Sequence, residues 1–415
     1  RRRRLPLTDY ETGLQDGDDS GVDLPVLTLK PHEERRLQAG HLWIFSNEID
    51  VAATPLTRFE PGTHVQVRSS RGKFMGYAYV NPRTLISARL LGREEAHPPG
   101  RSLLVYRLRV ALSLRERLGR GPFYRLVYGE SDLLPGLVVD RYDDVLVVQI
   151  GTAGMEALKD DIVAALVKVV KPRAILFKND AGMRELEGLP LYVESALGEV
   201  PETIEVPEGG VRFRVPLAGG QKTGWFFDQA ANRALVAGYA RGARVLDVCS
   251  YVGGFGLQAA KAGASEVMCV DASAQALEFA SATAAAEGLP LVTRKGDAFD
   301  VLAELLAARE RFDVVVVDPP AFIKRKKDHP QGVAAYRRLN QLAMQLLGKD
   351  GLLMSCSCSY HLASDELSDA IQRGARHLDR FAQILHVGGQ GPDHPVHPAI
   401  METRYLKAFL CRVTT

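Results

Sequence analysis

The sequence predicts an α/β chain. Its C-terminal half should be a doubly wound, mostly parallel sheet, preceded by a small β-barrel and a small central α/β domain. Three observations carry this. Past residue 240, unbroken apolar runs such as "ARVLDVCS", "EVMCVDAS", "FDVVVVDPP" and "LLMSCSCS" alternate with helical stretches, as strands buried on both faces of a parallel sheet do. Over residues 26–98 the runs are short and evenly spaced, "VLTLK", "THVQVRS", "FMGYAYV" and "TLISARLL", with Gly and Pro punctuation. That is the pattern of a small barrel. Between the two regions, a basic amphipathic helix over 101–119 leads into two strands joined by an Asp-Asp turn.

Taken in order, residues 1–25 are expected to be a disordered extension: a basic start and an acidic, Gly- and Ser-containing remainder, without the apolar core of a secretory signal. Residues 26–100 form the barrel, with "PHEERRLQAGHLWIFSNEI" contributing a short helix and a strand. Residues 101–205 hold the helix over 101–119, the strands "FYRLVYGE" and "GLVVDRYDDVLVVQI", a helix over 154–170, the strand "AILFKND" and the short helix "AGMRELEG". Residues 206–415 begin with a hairpin, "VRFRVPLAGGQKTGWFFDQ", and continue into the alternating strands and helices.

Composition narrows the function classes. Five scattered cysteines in 415 residues point to a reducing compartment, the cytoplasm, rather than a disulfide framework. No apolar run reaches the length of about 18 residues that a membrane helix needs. A formal net charge of +2 does not by itself announce a polyanion partner. Local clusters matter more: Lys324, Arg325, Lys326 and Lys327, and the Arg-rich stretch from Arg68 to Arg93. Taken singly, each reads as a solvated face.

The informative constellation is a series of acids at strand ends, the edge where doubly wound sheets bind ligands. Asp247 ends the strand before a Gly-containing turn. Asp271 ends the next strand, where a ribose diol needs a carboxylate. Asp297 in "GDAF" and Asp318 in "DPPAF" follow. A dinucleotide site shares the second acid. However, the loop lacks G-x-G-x-x-G, and Asp247 suits an ammonium-bearing ligand better than a pyrophosphate. S-adenosylmethionine, with its amino acid tail, ribose and cationic sulfonium, fits the series.

From about residue 26 onward the chain resembles the bacterial PUA-domain-containing large-subunit rRNA cytosine-5 methyltransferases. The resemblance rests on "KPHEERRLQAGHLWIFSNEI", "GESDLLPGLVVDRY", "GGQKTGWFFDQAANR", "DVCSYVGGFG", "DPPAF" and "ETRYLK". It implies an RNA-binding PUA-like barrel, a central α/β domain, and a Rossmann-like class I methyltransferase domain using S-adenosylmethionine. Tyr251, Gly253 and Phe255 in the first loop, together with Gln229, are then expected to contact the cofactor. The implied partner is large-subunit ribosomal RNA; a homodimer is left open. No metal is implied.

The resemblance also bears on the two cysteines of "SCSCS". In that family the nucleophile lies in a Ser/Thr-Cys-Ser triplet after a Gly-led strand, and alignment on Gly351 brings Cys358 to that position. A thiolate adding to the 6-carbon of cytosine makes the 5-carbon nucleophilic. Cys356 reads as a packing residue in the strand. A zinc site lacks a second ligand pair at useful spacing, and a disulfide between the two is geometrically disfavoured. Asp318 takes a second role, holding the cytosine amino group or ring nitrogen. Some cytosine-5 enzymes carry a further cysteine after the proline of this motif; here Pro320 stands there, so the base that removes the 5-proton is unassigned, with a bound water as one option. Cys249, beside the cofactor loop, reads as a packing residue with reactivity as the alternative; Cys269 and Cys411 read as core, and His394 and His397 as ordering a loop over the site.

The target base must be unpaired or flipped to meet both thiol and methyl donor. Lys324, Arg325, Lys326 and Lys327 then gain meaning as phosphate contacts. Trp43, Phe45 and Tyr77 are stacking candidates on the barrel, with core packing as the alternative for each. Two other functions compete: methylation of a guanine or amino nitrogen without a cysteine, and an RNA-binding module that has lost activity.

Overall fold

The computed structural model describes residues 24–119 and 121–415; residues 1–23 of the expected N-terminal extension lie outside them. Two compact units result. One runs to Val200 and takes back Pro395–Thr403; the other consists of Pro201–His394 and Arg404–Thr415.

The first unit opens with β1 (Val26–Thr28), α1 (Glu34–Gln38), β2 (Trp43–Phe45), β3 (Thr63–Arg68), β4 (Phe74–Val80) and β5 (Ile86–Gly92). They form a sheet in the order β1-β3-β4-β5-β2. A bridge between Leu29 and Ile49 joins the chain just beyond β1 to the chain just beyond β2. Lys30 N–H donates to Glu48 O and Asp50 N–H to Thr28 O, each at 2.9 Å. The two ends of the sheet therefore meet, closing it around Leu27, Ile44, Val65, Val67 and Ala78. Closure removes edges that would otherwise stay unpaired.

The same unit continues with α2 (Arg101–Leu118), β6 (Phe123–Tyr128), β7 (Leu137–Tyr142), β8 (Val145–Ile150), α3 (Ala153–Ala157), α4 (Lys159–Val170), β9 (Ala174–Asn179), α5 (Met183–Leu186) and β10 (Tyr192–Leu197). The sheet order is β10-β9-β8-β7-β6. The helix expected over 154–170 is broken at Leu158, which turns into the core at 7% exposure between α3 and α4. β10 was not foreseen: it lies at the sheet edge with Val193, Glu194 and Ser195 exposed and none of its six residues fully buried, so no run of buried apolar residues marks it.

The second unit begins with β11 (Thr203–Glu208) and β12 (Val211–Pro216), which pair antiparallel across Gly209 and Gly210. The hairpin expected to run forward from Val211 is thus formed backward. Two glycines at φ +59° and +79° make the turn, and the segment after Pro216 is left as a loop. The alternating region follows as α6 (Ala230–Ala237), β13 (Arg244–Val248), α7 (Gly254–Lys261), β14 (Glu266–Asp271), α8 (Ala274–Glu287), β15 (Val292–Lys295), α9 (Ala298–Ala307), β16 (Phe312–Val317), α10 (His329–Leu346), β17 (Leu347–Ser357), α11 (Ser364–His377), β18 (Phe381–Gly388) and β19 (Lys407–Thr414). The seven strands are ordered β15-β14-β13-β16-β17-β19-β18. The first five run parallel, and β19 runs antiparallel to both its neighbours, β17 and β18.

Two cores cover the faces. Leu302, Leu305, Tyr336, Leu339, Leu367 and Ile371 pack on one; Val236, Phe255, Ala259, Ala260 and Leu277 pack on the other. The valines at 314, 315, 316 and 317 alternate between these layers and are at most 2% exposed. That double-sided burial is why β16 reads as an unbroken run, each valine contributing roughly 1.5–3 kcal/mol.

Candidate active site

In the second unit the strand order reverses at β13, which lies between β14 and β16. Such a switch point opens a crevice at the carboxyl ends of the strands. Backbone bonds lace these ends together: Ser250 N–H to Val270 O at 3.0 Å, Gly296 N–H to Asp271 O at 3.1 Å, and Asp318 N–H to Val248 O at 3.2 Å. The sequence-predicted acids Asp247, Asp271, Asp297 and Asp318, with Cys358 just past β17, therefore stand along one crest.

The loop after β13 is tightly coiled. Cys249, Tyr251 and Gly253 have φ of +61°, +52° and +81°, a region that costs a non-glycine residue about 1–2 kcal/mol. The coil aims Tyr251 N–H at Asp271 Oδ2 and Gly256 N–H at Asp247 Oδ2, both at 2.8 Å. Gly256 is required there, because a Cβ would lie 2.7 Å from Cys269 Sγ. Asp247 is fully buried, and burial pushes its carboxyl up to about 7 against the Gly256 bond that lowers it. Its Oδ1 and the Ser250 hydroxyl have no partner among the described residues. An enclosed carboxylate oxygen left without a donor is what an ammonium-bearing ligand needs.

The remaining loop residues divide. Asp271 accepts from Tyr251 N–H and Ser273 N–H, and retains acceptor capacity on both oxygens. Asp297 is exposed and caps α9 through Phe299 N–H at 2.8 Å. The rings of Phe299 and Phe322 lie 6.0 Å apart. Tyr251 is buried; its hydroxyl accepts Gln221 N–H at 3.2 Å and its ring meets Phe226 edge-on. Phe255, the second residue of α7, is buried and packs with Val245, Val267 and Cys269 in the core. Gln229 is engaged otherwise than expected: its Nε2 donates to Asp318 Oδ2 at 3.0 Å and its Oε1 accepts from Asn232 at 2.6 Å. Burial and the neighbouring Asp228 carboxylate push Asp318 up to about 7, while Lys222 and Gln229 oppose them.

The two cysteines differ in kind. Cys356 is fully buried with Val314, Val316, Met354 and Ala408, and burial holds its thiol far above the ordinary range. Cys358 is half-buried at the mouth of the crest. Burial raises its thiol too; the charge of Lys222 lowers it, and Asp318 and Asp228 raise it. Ser357 and Ser359, on either side, both bond the Tyr336 hydroxyl of α10, at 2.9 and 2.8 Å. Ser359 Oγ also accepts Ile323 N–H at 3.2 Å, tying in the loop after Asp318.

Sequence reading did not single out Tyr336, Lys222, Asp228 or Lys407. The last three sit inside quoted stretches, "GGQKTGWFFDQ" and "ETRYLK", where they were available; Tyr336 carries no local signal. Tyr405 of the same stretch donates from its hydroxyl to Asp228 Oδ2. Lys324, Arg325, Lys326 and Lys327 are all exposed beyond Ile323, with Arg325 paired to Asp328 at 3.1 Å. His394 is buried beside Asp393 in the second unit, whereas His397 belongs to the first. On the barrel, Trp43 Nε1 donates to Glu130 at 2.9 Å, and the Tyr77 hydroxyl to Glu95 O at 2.7 Å. The Arg36 guanidinium lies 4.9 Å from the Phe45 ring centre. No helix among the described residues is long and apolar enough to cross a membrane.

Comparison with known proteins gives a consistent picture. A family profile described as S-adenosylmethionine-dependent methyltransferase matches residues 191–412, and one described as a PUA-like domain matches residues 27–93. The chain is similar to the ribosomal RNA large subunit methyltransferase I of Tolumonas auensis, 36% identical over 92% of this chain and 98% of that protein. The protein of the same name from Erwinia tasmaniensis is 34% identical over 93% of this chain and 99% of its own length. Among solved structures, a SAM-dependent methyltransferase from Streptococcus mutans shares the fold with a TM-score of 0.79 at 21% identity, over 94% of this chain and all 100% of that one. A methyltransferase solved as a complex with SAH matches over the same shares, 94% and 100%, with a TM-score of 0.80 and 21% identity.

Proposed function

Because the chain belongs to the S-adenosylmethionine-dependent methyltransferases, in the family of the ribosomal RNA large subunit methyltransferase I proteins, we propose that it methylates the 5-carbon of a cytosine in large-subunit ribosomal RNA through a covalent adduct at Cys358. The observation that carries this reading is a half-buried thiol at the same crest as Asp247 and Asp318, next to a fully buried thiol that has no such access. The cofactor supplies a methyl group activated by its sulfonium. Asp247 and Ser250 are assigned to its ammonium group, Asp271 to its ribose hydroxyls, and Asp297 with Phe299 to its adenine. Tyr251 and Gly253 hold the loop that presents them, and Gln229 acts through Asp318.

The chemistry assigned to the chain starts at sulfur. Cys358 loses its proton to solvent, and its electron pair forms a bond to the 6-carbon of an extruded cytosine, shifting ring electrons toward the 5-carbon. Asp318, raised to about 7, holds a proton near neutrality and donates it as a hydrogen bond to the ring nitrogen, where charge develops. After methylation the 5-proton passes to a base, assigned to a water, and the sulfur–carbon bond breaks to return the thiolate. Lys324, Arg325, Lys326 and Lys327 grip flanking phosphates, the barrel adds RNA contacts, and the activity belongs in the cytoplasm, where ribosomal RNA is found.

Ribosomal RNA carrying 5-fluorocytidine tests this, since fluorine cannot leave as a proton and the adduct persists. Wild type and Cys356→Ala should form a denaturation-resistant protein–RNA species; Cys358→Ala should not. An adduct formed equally by Cys358→Ala would overturn the assignment. The "DPPAF" stretch with Phe322 packed on Tyr336 at 4.8 Å also suits methylation of a base nitrogen. That reading predicts full turnover in Cys358→Ala and an N-methyl nucleoside by mass spectrometry.

A further inference from the structure

Lys407, the first residue of β19, is a buried amine whose sole described hydrogen bond runs from Nζ to Ser359 O at 2.5 Å. No carboxylate forms an ion pair with it among the described residues. A neutral donor would satisfy that carbonyl, whereas a buried ammonium without a counter-charge is strongly disfavoured. The geometry identifies what the charge is for. Ser357 pairs with Lys407 across the β17–β19 ladder, and the accepted carbonyl belongs to Ser359. The amine is therefore anchored to the residue that follows Cys358, and its own backbone pairs with the residue that precedes Cys358. Ser359 in turn is fixed by Ser357 Oγ at its N–H, by the Tyr336 hydroxyl and by Ile323 N–H. The carbonyl that holds the amine is thus itself held, one residue from the thiol.

We propose that Lys407 is the positioning residue that eases ionisation of Cys358, its ammonium serving as a counter-charge when the nucleophilic thiolate forms. This rests on the reading of Cys358 as nucleophile. The sulfur–hydrogen bond breaks, the electron pair stays on sulfur and the proton goes to solvent. Lys407 keeps its three protons throughout and forms no covalent bond. When the sulfur is later expelled from the 6-carbon, it returns to the same ammonium. Burial brings the amine down to about 8 while the Cys358 charge raises it, so the ammonium persists at neutral pH. The other charges in view are accounted for: Lys222 assists the thiolate, Asp318 and Asp228 oppose it, and Arg404 and Glu366 act on Lys407 in opposite senses. The Tyr336 hydroxyl, raised by burial against the bonds from the two serines that hold it, also feels the Cys358 charge. With two carboxylates pressing against the thiolate and a surface lysine as its other cation, a buried ammonium bound one residue away supplies a second counter-charge.

The test uses the full chain without RNA or cofactor. Iodoacetamide alkylation of the Cys358 peptide is followed by mass spectrometry as pH is raised, in wild type, Lys407→Met, Lys407→Gln and Lys407→Arg. Loss of the charge should move the alkylation midpoint up by at least about one pH unit and slow the reaction near neutrality about tenfold or more. Lys407→Gln keeps a donor for Ser359 O and should behave like Lys407→Met; Lys407→Arg keeps the charge and should stay within about threefold of wild type. Lys407→Gln with a wild-type profile would overturn the proposal. If Lys407→Met fails to fold, the comparison of Gln with Arg decides alone. The fluorocytidine adduct separately reports on the nucleophile itself, so failure of one is distinguishable from failure of the other.

Discussion

Asp247 shows how far a single residue could be read in advance. Its place at a strand end before a glycine turn was legible because buried parallel strands announce themselves. Its fully enclosed state was not, because the Gly256 N–H and the strained Cys249 and Tyr251 backbone exist only once the loop coils. That enclosure has a testable sign. The folded-state pKa of Asp247 is raised from the ordinary carboxylate value to about 7; Asp318 behaves alike. The stability their proton contributes is complete below about pH 4 and is lost as pH rises through 7. The cofactor-free protein should therefore lose melting temperature between pH 5 and 8, and Asp247→Asn should remove part of that slope, gaining on the order of 1–3 kcal/mol at pH 8. An ammonium-bearing ligand needs the ionised form. S-adenosylhomocysteine affinity by calorimetry should weaken as pH falls below 7, by up to about tenfold per unit, and Asp247→Asn should bind poorly at every pH. At the cysteines, Cys358→Ala should lower turnover on the order of a thousandfold or more while Cys356→Ala keeps most of it. The core packing of Phe255 was not legible, because the direction of a helix's second residue depends on the turn before it.

Among the elements, α10 matters more than its polar sequence suggests. Its Tyr336 hydroxyl joins Ser357 and Ser359 across separations of 21 and 23 residues, a link no local pattern could disclose. Tyr336→Phe should cost roughly 1–2 kcal/mol by denaturant melting and lower kcat more than KM, because the strand end that presents Cys358 is loosened. Gly253→Ala, at φ +81° with Ala280 Cβ 3.2 Å from the added carbon, should destabilise by at least about 1 kcal/mol. The two sheet edges contrast. β15 carries Arg294 and Lys295 in solvent, whereas β18 exposes Phe381, Ile384, Leu385 and Val387. An uncharged apolar edge is prone to pair with another strand; Ile384→Lys should reduce self-association on concentration, as read by light scattering.

At the scale of the molecule, the order of strands and acids was legible almost throughout, since it rests on apolar runs and their ends. The pairing of β12 with β11 was not, because two adjacent strands of similar pattern leave the partner undetermined. Removing the charges of Lys324, Arg325, Lys326 and Lys327 together should cut the slope of RNA affinity against salt by about 2–3, measured by filter binding from low to moderate salt. A last consequence concerns synthesis. The first unit ends at Val200 yet includes Pro395–Thr403: Ile400 is fully buried in the barrel core and the Tyr128 hydroxyl donates to Thr403 O at 2.8 Å. A nascent chain halted after residue 200 therefore lacks a piece of its own barrel, and the N-terminal half reaches its final packing only when almost the whole polypeptide has left the ribosome.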